Sequence, residues 1–415
     1  MKLKHSLSSY GFLVVFLSLA LSSSEALARK VTLLEISKIA LENSNLLKAQ
    51  LKEIDADVLR TQGTGLLPNP TGALQTGQIQ NDGQVGLILE TGLFQSLPFP
   101  GKRPALKTLA DLQKEMAQLQ GIELTRLVQH EVTLLAVRLV VLRELSQHTE
   151  ERTKRFQLIR QYLATHPLIS PSQKAEVALV ENQVRLLEKT ILELEQERRT
   201  VDVGLQFFLR SEEPLEPEFP WLNSPSLPPL KDLEEILAVS GIDLQKQEVE
   251  VRRAETVLTK TKLDRYPDFN LGVSYRVEAL TPSTHFYTGF FTFTVPLWDH
   301  GQYSVPAAQA RLETEHLRRE NLRNLVRRQL KEFYFKAETS AKLLNAFPPT
   351  LQHKIEEQFG AAEKEFRKNR ITFTQLLQLD AQVHETMDAI FRTQLDYLEN
   401  LSHLLLFVGR PLEWK

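Results

Sequence analysis

The sequence predicts an α+β chain of mostly long α-helices, forming a helical barrel. Two β-hairpins per chain would contribute to a twelve-stranded transmembrane β-barrel shared by three chains. Three observations predict it. Paired runs of strand length alternate apolar and polar residues. The stretches between them are rich in helix formers and poor in Pro and Gly. The same layout occurs twice, about two hundred residues apart.

The chain opens on a signal-peptide pattern over residues 1–28. Lys2, Lys4 and His5 form a basic start, Phe12 to Leu21 an apolar stretch, and Ala26-Leu27-Ala28 a small-x-small cleavage pattern. The apolar stretch is too short to span a bilayer as a helix. The chain contains no Cys, which excludes disulfides, thiolate metal sites and a Cys nucleophile. A net charge of -2 gives no case for nucleic acid as a partner. Beyond the signal, no run of about 18 apolar residues occurs. Entry into a membrane would therefore use strands.

Residues 29–210 form the first structural repeat. Its hairpin is expected within residues 68–98, opening at Pro68-Asn69-Pro70, turning at Asn81-Asp82-Gly83 and leaving through Leu97-Pro98-Phe99-Pro100-Gly101. Residues 104–162 then contain no Pro after Pro104 itself and one Gly, which predicts a helix roughly 90 Å long. A tip at about residues 165–171 leads into a return helix over residues 172–209. Residues 211–230 are a Pro-rich linker, whose prolines suit an extended connection.

Residues 231–415 form the second repeat, with its hairpin expected within residues 267–297. Tyr266-Pro267-Asp268 opens it. Phe269, Leu271, Val273, Tyr275 and Val277 alternate with Asn270, Gly272, Ser274 and Arg276. Tyr287, Phe291, Phe293 and Val295 alternate with Thr288, Thr292 and Thr294. Period-2 alternation puts apolar groups on one face, and about ten residues suffice for a tilted strand to cross a bilayer. Helices follow over residues 305–345, 351–368 and 373–407, with a break at Pro348-Pro349 and a tip at about 367–373. In the last helix Leu376, Val383, Ile390, Tyr397 and Leu404 recur every seven residues, as in a coiled-coil seam or the core stripe of an amphipathic helix.

Four strands cannot close a barrel, since small closed barrels need about eight. In lipid each unpaired backbone group costs several kcal/mol, so a membrane barrel requires several chains, and three would supply twelve strands. The competing reading is a soluble helical scaffold or binding protein whose hairpins pack on its own helices.

Four stretches then carry a resemblance that covers the mature chain. They are Gly65-Leu66-Leu67-Pro68-Asn69-Pro70, the run from Phe94 to Arg103, the run from Val295 to Gln302, and Phe366 to Gln378. The chain resembles the TolC-like outer-membrane efflux channels. The Pro-Asn-Pro and Gly-Lys-Arg elements look most like the heavy-metal-efflux (cobalt-zinc-cadmium type) branch. The resemblance implies a homotrimer in outer-membrane lipid of a Gram-negative-type bacterium, with most of the chain in the periplasm. It implies a periplasmic adaptor protein and an inner-membrane pump of the resistance-nodulation-division type as partners. The channel would be a passive exit duct, not an enzyme, with no cofactor and no resident metal. Drug efflux and type I protein secretion are the alternative cargoes.

The helix tips are the expected adaptor-docking sites: Leu168, Ile169 and Ser170 in the first repeat, and Asn369, Arg370, Ile371 and Thr372 in the second. The family pattern favours Gly at each tip. Pro167 and Asn369 stand there instead, and Pro cannot take the positive φ that Gly allows. Asp380 is the candidate for a lumenal constriction ring, because each side chain recurs once per protomer. Glu90, Arg276, Thr288, Thr292 and Thr294 are the expected lumen-facing strand residues. No phosphate loop, HExxH or nucleophile elbow occurs. The histidines, including His148, His166, His285, His353, His384 and His403, are scattered rather than grouped at ligand spacing.

Overall fold

A computed structural model describes residues 29–81, 83–165, 171–210, 215–219, 226–347, 349–368 and 370–410. The signal-peptide pattern, Asp82, His166, Pro167, Leu168, Ile169, Ser170, Pro348, Asn369 and parts of the linker lie outside the described residues.

The elements run β1 (Arg29–Val31), α1 (Leu33–Asn43), α2 (Asn45–Gly63), β2 (Thr71–Asn81), β3 (Gln84–Leu97), α3 (Lys102–Thr165), α4 (Pro171–Leu209) and β4 (Leu215–Pro217). They continue α5 (Leu230–Ser240), α6 (Ile242–Leu263), β5 (Phe269–Glu278), β6 (Thr284–Phe293), α7 (Ser304–Asn345), α8 (Pro349–Arg367) and α9 (Phe373–Val408). Two helices, a hairpin and long helices therefore occur twice in order.

At 64 residues, α3 is about 96 Å long. Its neighbour α9 runs antiparallel to it, so His130, His148 and Arg152 of α3 meet His403, His384 and Asp380 of α9 in turn. The seven-residue stripe of α9 is buried within the chain: Leu376, Ile390, Tyr397 and Leu404 are covered and Val383 is half-buried. One core lies where β1, α1 and α5 pack on the long helices, joining Ile36, Val132, Leu205, Leu233, Leu330 and Leu401. A second joins Phe156, Val180, Phe359, Phe366, Phe373 and Leu376, so α3, α4, α8 and α9 converge just short of the tips.

Six short or flanking elements have no counterpart in the sequence expectations: α1, α2, α5, α6, β1 and β4. The strands β1 and β4 form a parallel pair of three residues each, Arg29 opposite Leu215. Three residues are too few to show a period. The linker is thus partly a strand, fastened by Arg143 of α3, which pairs with Glu216. The second hairpin also differs in detail. β6 begins at Thr284 and ends at Phe293, so Thr294 and Val295 fall outside it. Pro296 has no N–H to extend the ladder.

Candidate functional site

The four long strands form one antiparallel sheet in the order β2-β3-β5-β6, with β2 and β6 as open edges. Its register decides what each face presents. Leu74, Thr91 and Tyr275 stand opposite one another on neighbouring strands, as do Leu93 and Val273, and Leu271 and Phe291. Residues opposite one another point to the same side, so most apolar positions of β3, β5 and β6 coincide, with Leu74 of β2 beside them, while Ile79, Ile88, Phe94, Phe286 and Phe290 fall on the other side. That side carries Leu74, Val85, Leu87, Leu89, Leu93, Leu271, Val273, Tyr287, Phe291 and Phe293, all exposed. The helices do not cover it.

The other side carries Gln75, Glu90 and Arg276 in one cross-strand row, with Ser274 opposite Thr288 and Asn270 opposite Thr292. Glu90, Arg276, Thr288 and Thr292 therefore share one polar face. Thr294 lies one residue past the strand and has no cross-strand partner in the register. Arg276 pairs with Glu278 at 2.7 Å and lies over the Phe286 ring. Phe94 also lies on this face, against Phe290, and covers Gly92 and Gly272. A Cβ at Gly272 would collide with that ring, so the glycine makes room for the aromatic.

The sheet is tied to the helices by a knot of polar contacts. Lys102 is 8% exposed and donates to Tyr266 O at 2.8 Å and to Asp268 Oδ1 at 2.9 Å. The Phe99 N–H donates to the same carboxylate oxygen, and the Phe99 ring stacks on Tyr266 at 4.6 Å. Arg103 Nε donates to Gly65 O at 2.9 Å. Gly101 takes φ +97, which a side chain would resist. The Gly-Lys-Arg element is thus a joint: Gly101 turns the chain, Lys102 grips the second repeat, and Arg103 grips the entry to the first hairpin.

Of the tip residues, Arg370, Ile371 and Thr372 are described. Thr372 caps α9 in a capping box with Gln375, accepting from its N–H at 3.3 Å. Ile371 packs on the Phe366–Phe373 core. Arg370 is exposed and pairs with Glu365 at 2.9 Å, which also receives Lys368 at 2.8 Å. Hydrogen bonds from Lys368 and Arg370 hold the Glu365 carboxyl below its usual range. The described surface of this tip carries the charged groups Glu365, Lys368 and Arg370.

Asp380 is not placed as expected. It is 3% exposed and accepts from Arg152 Nε at 3.1 Å and 2.9 Å, with a further ion pair to Nη2. The carboxylate is turned into the α3–α9 interface and is not free to line a pore. Nor are the histidines scattered: the fold pairs His130 with His403 and His148 with His384. These pairs were missed because their members are more than two hundred residues apart.

Burial between the helices, with His384, Arg155 and Arg152 near, pushes the His148 imidazole down to about 4. A depressed imidazole stabilises the fold fully above the unfolded value of 6.5, and that contribution is lost as pH falls towards 4. The difference corresponds to about 3 kcal/mol, because the unfolded chain takes a proton that the folded chain refuses. Replacing His148 by Gln is expected to flatten the loss of thermal stability between pH 6.5 and 4, followed by circular dichroism.

No family model matches the sequence, and no curated protein matches it. Solved structures do match in fold. CusC, a protein that forms a transmembrane channel, is 13% identical with a TM-score of 0.77, over 91% of this chain and 92% of that one. The Campylobacter jejuni CmeC outer membrane channel is 12% identical with a TM-score of 0.74, over 92% and 86%. The Vibrio cholerae outer membrane protein VceC is 13% identical with a TM-score of 0.69, over 92% and 97%. Over nearly its whole length, this chain has the fold of these outer-membrane proteins.

Proposed function

We propose that the chain is one protomer of an outer-membrane channel, the passive exit duct of a tripartite efflux system. The observation that carries this reading is the sheet: one largely apolar exposed face, one mostly polar face, and two unpaired edges. Lipid would cover the first face and water the second. Pairing the β2 edge of one copy with the β6 edge of the next satisfies both edges, and three copies give twelve strands. The polar row of Glu90 and Arg276 would then line the lumen.

The soluble-scaffold reading needs the hairpins to lay their apolar face on the helices, and that face is bare. The tips, with Arg370 and Lys368 exposed at the second, are the proposed docking ends for a periplasmic adaptor and its inner-membrane pump. Heavy-metal ions are the proposed cargo, on the resemblance alone.

The protein is expected to stay with outer membranes through a salt wash, to need detergent for release, and to run in mild detergent at the mass of three chains. Release by salt, or a monomer, would overturn the channel. For cargo, deletion is expected to lower tolerance to zinc, cobalt, cadmium or copper. Unchanged tolerance to all four would remove the metal-efflux branch and leave the channel standing.

A further inference from the structure

We propose that His130 and His403 form a site for a divalent transition-metal ion of the zinc or copper class, which clips α3 to α9 when bound. His130 Nε2 and His403 Nδ1 lie 3.1 Å apart, with ring centroids 4.7 Å apart and planes inclined at 57°. Two ring nitrogens from different helices thus face each other at hydrogen-bond distance.

The neighbouring oxygen sets up the donors. Ser402 Oγ lies 3.0 Å from His130 Nδ1. A metal-ligating imidazole typically gives its other N–H to an oxygen, which fixes its tautomer and orientation. With Nδ1–H of His130 donated to Ser402, the Nε2 lone pair faces His403. His403 is exposed, so its Nε2–H can face water while its Nδ1 lone pair faces back. At metal–nitrogen lengths of about 2.0–2.1 Å and tetrahedral angles, the two nitrogens would sit about 3.3 Å apart. An opening of a few tenths of an ångström therefore suffices. Without a metal, the same two nitrogens must share one proton.

Imidazole donors favour zinc and copper over magnesium and calcium. Among the described residues no group of three or more His, Asp or Glu is poised for a metal. Two protein nitrogens would leave the remaining coordination positions to water, so the proposed ion would be exchangeable. The other histidine pair shows the contrast. His148 and His384 stack with planes 7° apart and centroids 6.1 Å apart, presenting ring faces to each other instead of nitrogens. The proposed site lies between α3 and α9 with His403 exposed, so it is independent of whether metals are the cargo.

The test uses tag-free, full-length protein in mild detergent, stripped of metal and titrated with Zn²⁺ against a chromogenic indicator. One equivalent per chain is expected to compete with the indicator. It should vanish in His403→Ala and in His130→Gln, persist in His148→Gln, and weaken about tenfold or more in Ser402→Ala. Cu²⁺ should show nitrogen ligation by electron paramagnetic resonance in the wild type and in His148→Gln, and not in His403→Ala or His130→Gln. His403 is exposed, so its replacement leaves the core intact, and helical content checks this. The proposal fails if the double variant His130→Gln, His403→Ala binds Zn²⁺ as the wild type does, or if the wild type does not compete with the indicator.

Discussion

Arginine at Val273 is expected to destabilise the membrane-inserted form by about 2–4 kcal/mol per chain, enough to deplete the assembled species. Val273 is 64% exposed, mid-strand, and opposite Leu93 and Gly289 on the apolar face. A charge there must be desolvated or must drag water into the hydrocarbon, and in a three-chain assembly this happens three times. Lysine at Thr288, on the polar face opposite Ser274, is the control. It should assemble normally and alter only conduction, because a lumenal charge stays hydrated. The readout is the yield of detergent-stable oligomer, together with urea unfolding from lipid vesicles. Equal yields from the two variants would mean that the faces are assigned wrongly.

This contrast rests on a pattern that was legible in the sequence. Period-2 alternation needs no tertiary information, and neither does a helix with one glycine in about sixty residues. The sequence could also have located Asp380, though it did not. Asp380 stands four residues after Leu376 and three before Val383, which places it on the same helix face as the seam. A carboxylate inside a buried stripe calls for a cationic partner, not for a pore. What no local pattern holds is the partner. Arg152 lies 228 residues away, and only the antiparallel register of α3 and α9 brings it near. The histidine pairs and the Lys102–Asp268 joint depend on the same kind of long-range register. The short strands β1 and β4 fail for a different reason: three residues carry no periodicity to detect.

Removing one member of the Arg152–Asp380 pair is expected to cost about 3–5 kcal/mol, because each change strands an unpaired charge in a dry interface. Side-chain exposures of 8% and 5% leave little water to take over the lost partner. Asp380→Ala frees a guanidinium beside the Phe156 ring and near His384. Arg152→Ala leaves a carboxylate between helices. The double replacement Arg152→Met, Asp380→Leu is expected to recover most of the loss, since a buried pair repays little more than its own desolvation. Thermal unfolding of the four proteins closes the cycle. If the pair instead held the helices together by net attraction, the double variant would be as unstable as the singles. Recovery would assign Arg152 and Asp380 to fixing the axial register of α9 against α3. That register also sets Phe373 against Phe156 and Phe366 at the base of the tip.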